Sequence, residues 1–121
     1  RANHYAVSGG QAGMQAGEID AIARQEIEES GFGEYFTHRT GHGLGMEAHE
    51  APYIFSGNPL TLKKGMVFTV EPGIYVPGLG GVRIEDDVFV DDEGLTCLTS
   101  LPREVMTIDR YLELMRIFEN R

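Results

Sequence analysis

The sequence contains one cysteine, Cys97, and no tryptophan in 121 residues. A single thiol excludes an internal disulfide and any thiolate metal cluster. That fits a reducing, cytoplasmic setting and leaves nitrogen and oxygen as the metal donors on offer. Long apolar runs are missing too: nothing approaches the roughly 18 to 20 residues of a membrane span, and the Gly-rich opening does not resemble a signal peptide. Positive charge is scarce, with 10 Lys and Arg against 19 Asp and Glu and a formal charge of −9. A nucleic-acid partner or an anionic membrane face is therefore not expected. What is present is an acidic chain, 41% apolar, long enough for one domain over residues 1–121 and too short for two. An initiating methionine is also absent, since the chain opens Arg1-Ala2-Asn3-His4-Tyr5, and the expectation is a piece of a longer protein.

Gly9, Gly10, Gly13 and Gly17 crowd the start, and glycine at that density predicts a loosely ordered lead-in from Ala2 to Gly17. From Glu18 to Ser30, Ile19, Ile22, Ala23 and Ile27 recur at helical spacing, with Glu26, Glu28 and Glu29 turned outward. Gly31 is placed to end that helix in the left-handed conformation. Met66-Val67-Phe68-Thr69-Val70 reads as a strand broken by Pro72-Gly73 directly after Glu71. The segment from Val82 to Val90 reads as one further strand, turned back by Asp91-Asp92-Glu93-Gly94 into Leu95 to Leu98 as a hairpin. Tyr111, Leu112, Met115 and Phe118 predict a C-terminal helix from about Asp109 to Glu119. Helix, strands and a short helix in that order give an α+β class.

His38, His42 and His49 fall within twelve residues. They read either as hydrogen-bonded surface histidines or as metal and substrate ligands. The spacing of His38 and His42 would put both on one face of a helix, but Gly41, Gly43 and Gly45 argue for an extended strand or loop that aims each imidazole separately. Carboxylate partners would have to come from elsewhere. Glu71, a lone acid after an apolar strand, is costly to bury without a cation or a hydrogen-bond partner. Glu85 stands between Arg83 and the pair Asp86-Asp87, an acidic trio that a solvated hairpin would also explain. One imidazole and two carboxylates would make a hard metal site suited to activating water and polarising a carbonyl. Arg83 is open between a substrate or carboxylate contact and an ordinary cross-strand ion pair.

The stretch His38-Arg39-Thr40-Gly41-His42-Gly43-Leu44-Gly45-Met46-Glu47-Ala48-His49-Glu50-Ala51-Pro52 resembles the histidine motif of prolidases (Xaa-Pro dipeptidases) and aminopeptidase P. Gly65 to Tyr75 and Gly81-Val82-Arg83-Ile84-Glu85-Asp86-Asp87 resemble the two glutamate motifs of the same pita-bread metallopeptidases, in the same order. The second of these is similar to the proline-specific branch rather than to methionine aminopeptidases. The resemblance implies the second half of a pita-bread fold and cleavage of the bond between an N-terminal residue and proline. It implies His42, Glu71 and Glu85 as ligands of a pair of Mn, Co or Zn ions, with Glu85 bridging. It implies His38 and His49 as substrate-binding groups that stabilise the tetrahedral intermediate, Glu71 as a proton shuttle, and Arg83 as a residue that orients a carboxylate or meets substrate. The closeness of the His38 to Pro52 stretch leans toward a dipeptidase.

Two further aspartates belong to the family pattern upstream of the histidine motif, where this chain offers only Asp20, at a position the resemblance gives to an ordinary helix residue. Three ligands of five imply at most one weakly held ion in this chain, an isolated piece with little or no activity, and self-association, as a homodimer or larger, through surface the missing half would cover. The competing reading is a non-catalytic peptide- or partner-binding domain on the same fold.

Overall fold

The computed structural model describes residues 1–119 and opens on a helix, α1, Ala2–Gly9. This corrects the expected loose lead-in. The glycines that weaken helices begin only at Gly9, so the first turns are free of them, and Asn3, Ala6 and Val7 are buried. α2, Ala16–Glu29, follows the predicted periodicity: Ile19 and Ala23 are fully buried and Ile27 nearly so. Glu18 starts it by accepting a hydrogen bond from the Gln15 N–H at 2.7 Å, a capping-box contact. Gly31, at φ +83°, ends it. The Phe32 N–H reaches the Ile27 carbonyl and the Gly31 N–H reaches that of Glu28, the paired bonds of a Schellman motif.

After a single 3₁₀ turn at Gly33–Tyr35 the chain enters a five-stranded sheet. Its strands are β1 (Gly41–Gly43), β2 (Glu50–Ile54), β3 (Val67–Val70), β6 (Asp86–Val90) and β7 (Leu95–Cys97), in the order β2-β1-β3-β6-β7. Every neighbouring pair is antiparallel. The remaining strands, β4 (Gly73–Val76) and β5 (Gly80–Arg83), form a two-stranded sheet of their own. The predicted strand from Val82 to Val90 is thereby corrected to two. Val82 and Arg83 pair with β4, Ile84 and Glu85 make the break, and Asp86 restarts in the larger sheet. The hairpin through Asp91–Gly94 forms as expected, with the Asp91 N–H bonded to the Gly94 carbonyl.

Phe68 and Val70 on β3 and Val88 and Val90 on β6 are fully buried and join Ala6, Ile19, Ala23 and Ile27 in one core. Because side chains alternate along a strand, Thr69 and Glu71 fall on the opposite face. The sheet thus turns one face to the helices and leaves the other for polar chemistry. α3, Ile108–Glu119, forms near its predicted bounds, but Tyr111 and Leu112 are half exposed rather than packed, and the side chain of Phe118 lies outside the described set. Among the described residues, no helix is long and apolar enough to cross a membrane. The class is α+β, as expected.

Candidate metal centre

Three tethers hold the histidine segment in place. Asp20, wholly buried on α2, accepts hydrogen bonds from the N–H and the hydroxyl of Thr40 at 3.1 and 2.8 Å. Arg24, one turn on, pairs with Asp20 and donates to the carbonyls of Phe36 and His38 at 3.0 and 3.1 Å. Its guanidinium also lies over the Phe36 ring, 4.2 Å from the centroid. Asp20 is therefore no ligand but the anchor of the segment that carries the ligands. The i,i+4 spacing of Asp20 and Arg24 was its only sequence signal. From the other side, the Glu71 N–H bonds to the Thr40 carbonyl at 2.7 Å, tying the end of β3 to the same point.

His42 is buried in the middle of β1, between two glycines that let neighbouring backbone close in. Its Nδ1 lies 3.0 Å from the Gly43 carbonyl oxygen. A carbonyl only accepts, so Nδ1 carries a proton and, in the neutral imidazole, Nε2 presents a lone pair. That lone pair faces Glu71 Oε1 at 3.1 Å. Two electron donors so placed share a cation, either a proton on Nε2 or a metal ion, and an imidazole whose other nitrogen donates to a backbone carbonyl is the usual form of a metal-bound histidine. Donors each about 2.1 Å from one ion, at a right angle, stand about 3 Å apart. The Thr69 hydroxyl fixes the pair by donating to Glu71 Oε1 at 2.8 Å and accepting from the His42 N–H at 3.0 Å. Glu71 thus has the partners its burial demanded.

Glu85 occupies the break between β5 and β6, with its carboxylate part-exposed. Burial and the neighbouring Glu71 and Asp87 charges raise its pKa, with Arg83 and His42 opposing. Arg83 lies 3.5 Å from Glu71 and 3.9 Å from Glu85, and it donates to the Tyr75 hydroxyl at 3.4 Å. It therefore spans both carboxylates rather than making a simple cross-strand pair, and the Tyr75 contact, followed by Glu71, raises its own pKa. One imidazole and two carboxylates match the hard donor set of a divalent ion. Among the described residues, no three His, Cys, Asp or Glu side chains stand close enough together to hold an ion as placed.

An open cleft of about 390 Å³ lies over these groups, lined by His38, Arg39, His42, His49 and Glu71. The exposed His49 ring leans on His42, with centroids 4.1 Å apart. His38 packs edge-on to Phe36 and against Tyr75, and its Nδ1 lies 2.7 Å from the Arg39 carbonyl oxygen. Its Nε2 is buried and has no hydrogen-bond partner, the mark of an atom that waits for a ligand. All three histidines thus meet in one place, joined by Glu71, with Arg83 and Glu85 at its edge. Asp86 departs from the solvated-hairpin reading. It is buried on the opposite, core-facing side of β6 and bound to Thr99 and Arg103. Burial pushes its carboxyl up, but those hydrogen bonds and the Arg103 charge outweigh that and hold it below the usual carboxylate range.

The sequence model of metallopeptidase family M24 matches residues 1–92. The chain belongs to this family. It is 50% identical over 105 residues to the Xaa-Pro dipeptidase of Pyrococcus furiosus, a match that covers 87% of this chain and 30% of that protein. Its fold superposes on a dipeptidase from Pyrococcus horikoshii with a TM-score of 0.84 at 53% identity, covering 86% of this chain and 29% of the other. It also superposes on an X-Pro aminopeptidase from Thermotoga maritima with a TM-score of 0.85 at 44% identity, covering 88% of this chain and 30% of that one. The pita-bread fold expected from the motifs therefore stands. The chain spans about 30% of the length of the curated relatives it matches.

Proposed function

We propose that the full-length M24 protein carrying this sequence is a metal-dependent hydrolase of the Xaa-Pro bond, acting on Xaa-Pro dipeptides or on peptides with an N-terminal Xaa-Pro. The observation that carries this reading is the facing of the His42 lone pair and Glu71 across 3.1 Å beneath a cleft walled by His38 and His49. His42, Glu71 and Glu85 would hold divalent ions, Mn, Co or Zn, with Glu85 shared between two of them. Bound there, such ions would supply an activated water and polarise the scissile carbonyl. Glu71, oriented by Thr69, carries a proton from water toward the leaving prolyl nitrogen. Arg83 keeps both glutamates aimed by spanning them. His38 presents Nε2 as an acceptor for a substrate N–H, or as a donor once it is protonated, and His49 lines the opposite wall. The aminopeptidase P and dipeptidase forms of this activity share the site.

The chain alone is expected to bind at most one ion weakly and to release little or no proline. Mn titration by calorimetry, with Glu85→Ala as control, tests the ligand set. One weak site lost in the variant supports it, and two tight ions per chain would overturn the count of three donors. For the full-length protein, Mn-dependent release of proline from Ala-Pro, abolished by chelator, tests the activity; no release with metal supplied would reject it. The reading includes a cytoplasmic location, in keeping with the free Cys97, and self-association of the chain.

A further inference from the structure

One side chain stands behind both glutamates. Asn3, in the first turn of α1, is buried. Its Nδ2 donates to the Val70 carbonyl at 2.9 Å and lies 3.5 Å from that of Ile84, the outer limit of such a bond. Val70 precedes Glu71 and Ile84 precedes Glu85, so a single carboxamide meets the two peptides from which those carboxylates hang, 67 and 81 residues along the chain. Carbonyls only accept, so it is the amide nitrogen that faces them. The Asn3 Oδ1 is left buried with no hydrogen-bond partner among the described residues. Such an atom is costly, and an apolar side chain would seat the helix without it. The carboxamide is therefore explained by the carbonyls it reaches.

Both glutamates are also held from a second side. The Glu71 N–H bonds to the Thr40 carbonyl at 2.7 Å, so the peptide between Val70 and Glu71 is bound at both of its opposed ends. Ile84 and Glu85 belong to neither β5 nor β6, and no strand ladder fixes them. Their ties are the Ile84 N–H to the Pro72 carbonyl at 3.4 Å, the approach of Asn3, and the bonds from Thr99 and Arg103 to Asp86 just beyond. We infer that Asn3 is a positioning residue of the metal centre, which sets the separation of Glu71 and Glu85 by tying the peptides before them to one point on α1. The inference rests on the reading of those glutamates as metal ligands. Without the tie the break before β6 shifts relative to the end of β3, and a bound ion must itself draw the carboxylates together.

Mn titration of the full-length protein by calorimetry compares the parent with Asn3→Leu, which keeps the branched outline and loses the donor. Asn3→Ala, smaller than the parent side chain, serves if the first variant does not fold. Asn3→Gln keeps the donor on a longer stem. Val7→Ala, buried on the same helix, loosens α1 without touching either carbonyl. Asn3→Leu and Asn3→Ala are expected to bind Mn about 10- to 100-fold more weakly and to need Mn raised by the same factor for half-maximal release of proline from Ala-Pro. Their KM for Ala-Pro returns to the parent's once Mn saturates, and Asn3→Gln recovers part of the affinity. Val7→Ala melts at a lower temperature but keeps its Mn affinity within about twofold, since it removes no tie to a ligand. Parent affinity in both Asn3→Leu and Asn3→Ala overturns the inference, as does an equal loss in Val7→Ala, which would make Asn3 a seat for the helix and nothing more. A full-length protein that hydrolyses no Ala-Pro at any Mn concentration, yet shows these losses of affinity, rejects the peptidase reading and upholds the role of Asn3.

Discussion

At the scale of the residue, the centre depends on two backbones coming closer than any side chain allows. A methyl group on Gly41 would drive into the Thr69 carbonyl, and one on Gly43 into that of Ala51. Gly41→Ala is therefore expected to cost about 1–3 kcal/mol by forcing β1 away from β3, and a denaturation curve superposable on the parent's would refute the close approach. The glycine pattern around the histidines made this legible, because only a backbone that bends or touches something needs so many. What the sequence did not disclose is the hydroxyl between the ligands. Thr69 reads as an ordinary strand residue, yet it joins His42 to Glu71. Thr69→Val keeps the shape but leaves the buried His42 N–H unpaired, which should destabilise the fold by about 1–3 kcal/mol. It should also weaken Mn binding about 10- to 100-fold, as calorimetry would show. Unaltered affinity would mean that Thr69 only packs.

At the scale of the element, the sequence was most readable where one period ran without interruption. α2 and β3 each carry a single apolar pattern and formed within a few residues of the expected bounds. The segment from Val82 to Val90 failed because two short strands in different sheets, joined end to end, alternate like one long one. Only the break at Ile84-Glu85, which presents Glu85 to the cleft, separates them, and no turn residue marks it. The β6–β7 turn was legible because Asp91 and Gly94 are turn formers. Asp91 accepts hydrogen bonds from Thr96 and from the N–H groups of Glu93 and Gly94, and these hold its pKa below the usual value, against a small opposing effect of burial. Since the folded pKa is the lower one, the turn's stabilisation is complete above the unfolded value of about 3.9. It is lost as pH falls through the folded value. Exchange protection of the Glu93 and Gly94 amides should fall over that acid range in the parent and be already low at neutral pH in Asp91→Ala. Equal protection in the two at neutral pH would show that the strands alone hold the turn.

At the scale of the whole molecule, the long-range partners were the least legible. Nothing local tells that Asp86 will bury itself against Arg103, seventeen residues on, or that Asp20 will hold Thr40. Both are acids that a one-dimensional reading assigns to solvent. Beyond β7 the chain is also poorly covered: Leu98, Leu101, Val105 and Ile108 are more than half exposed, and Tyr111 and Leu112 nearly half. Apolar surface on that scale favours contact between copies, while a formal charge of −9 opposes it at long range. The two effects respond differently to salt. Repulsion between copies is screened over about 8 Å at physiological ionic strength and about 30 Å at tenfold or more dilution, whereas apolar contact is not weakened by salt. Sedimentation velocity should therefore show a larger assembly as salt is raised from about 0.01 to 0.15 M, and Val105→Asp with Leu112→Asp should shift the chain back toward monomer at either salt. A parent chain that stays monomeric across the range would show that this surface is too dispersed to bind a second copy, and the self-association proposed for the chain would fall with it.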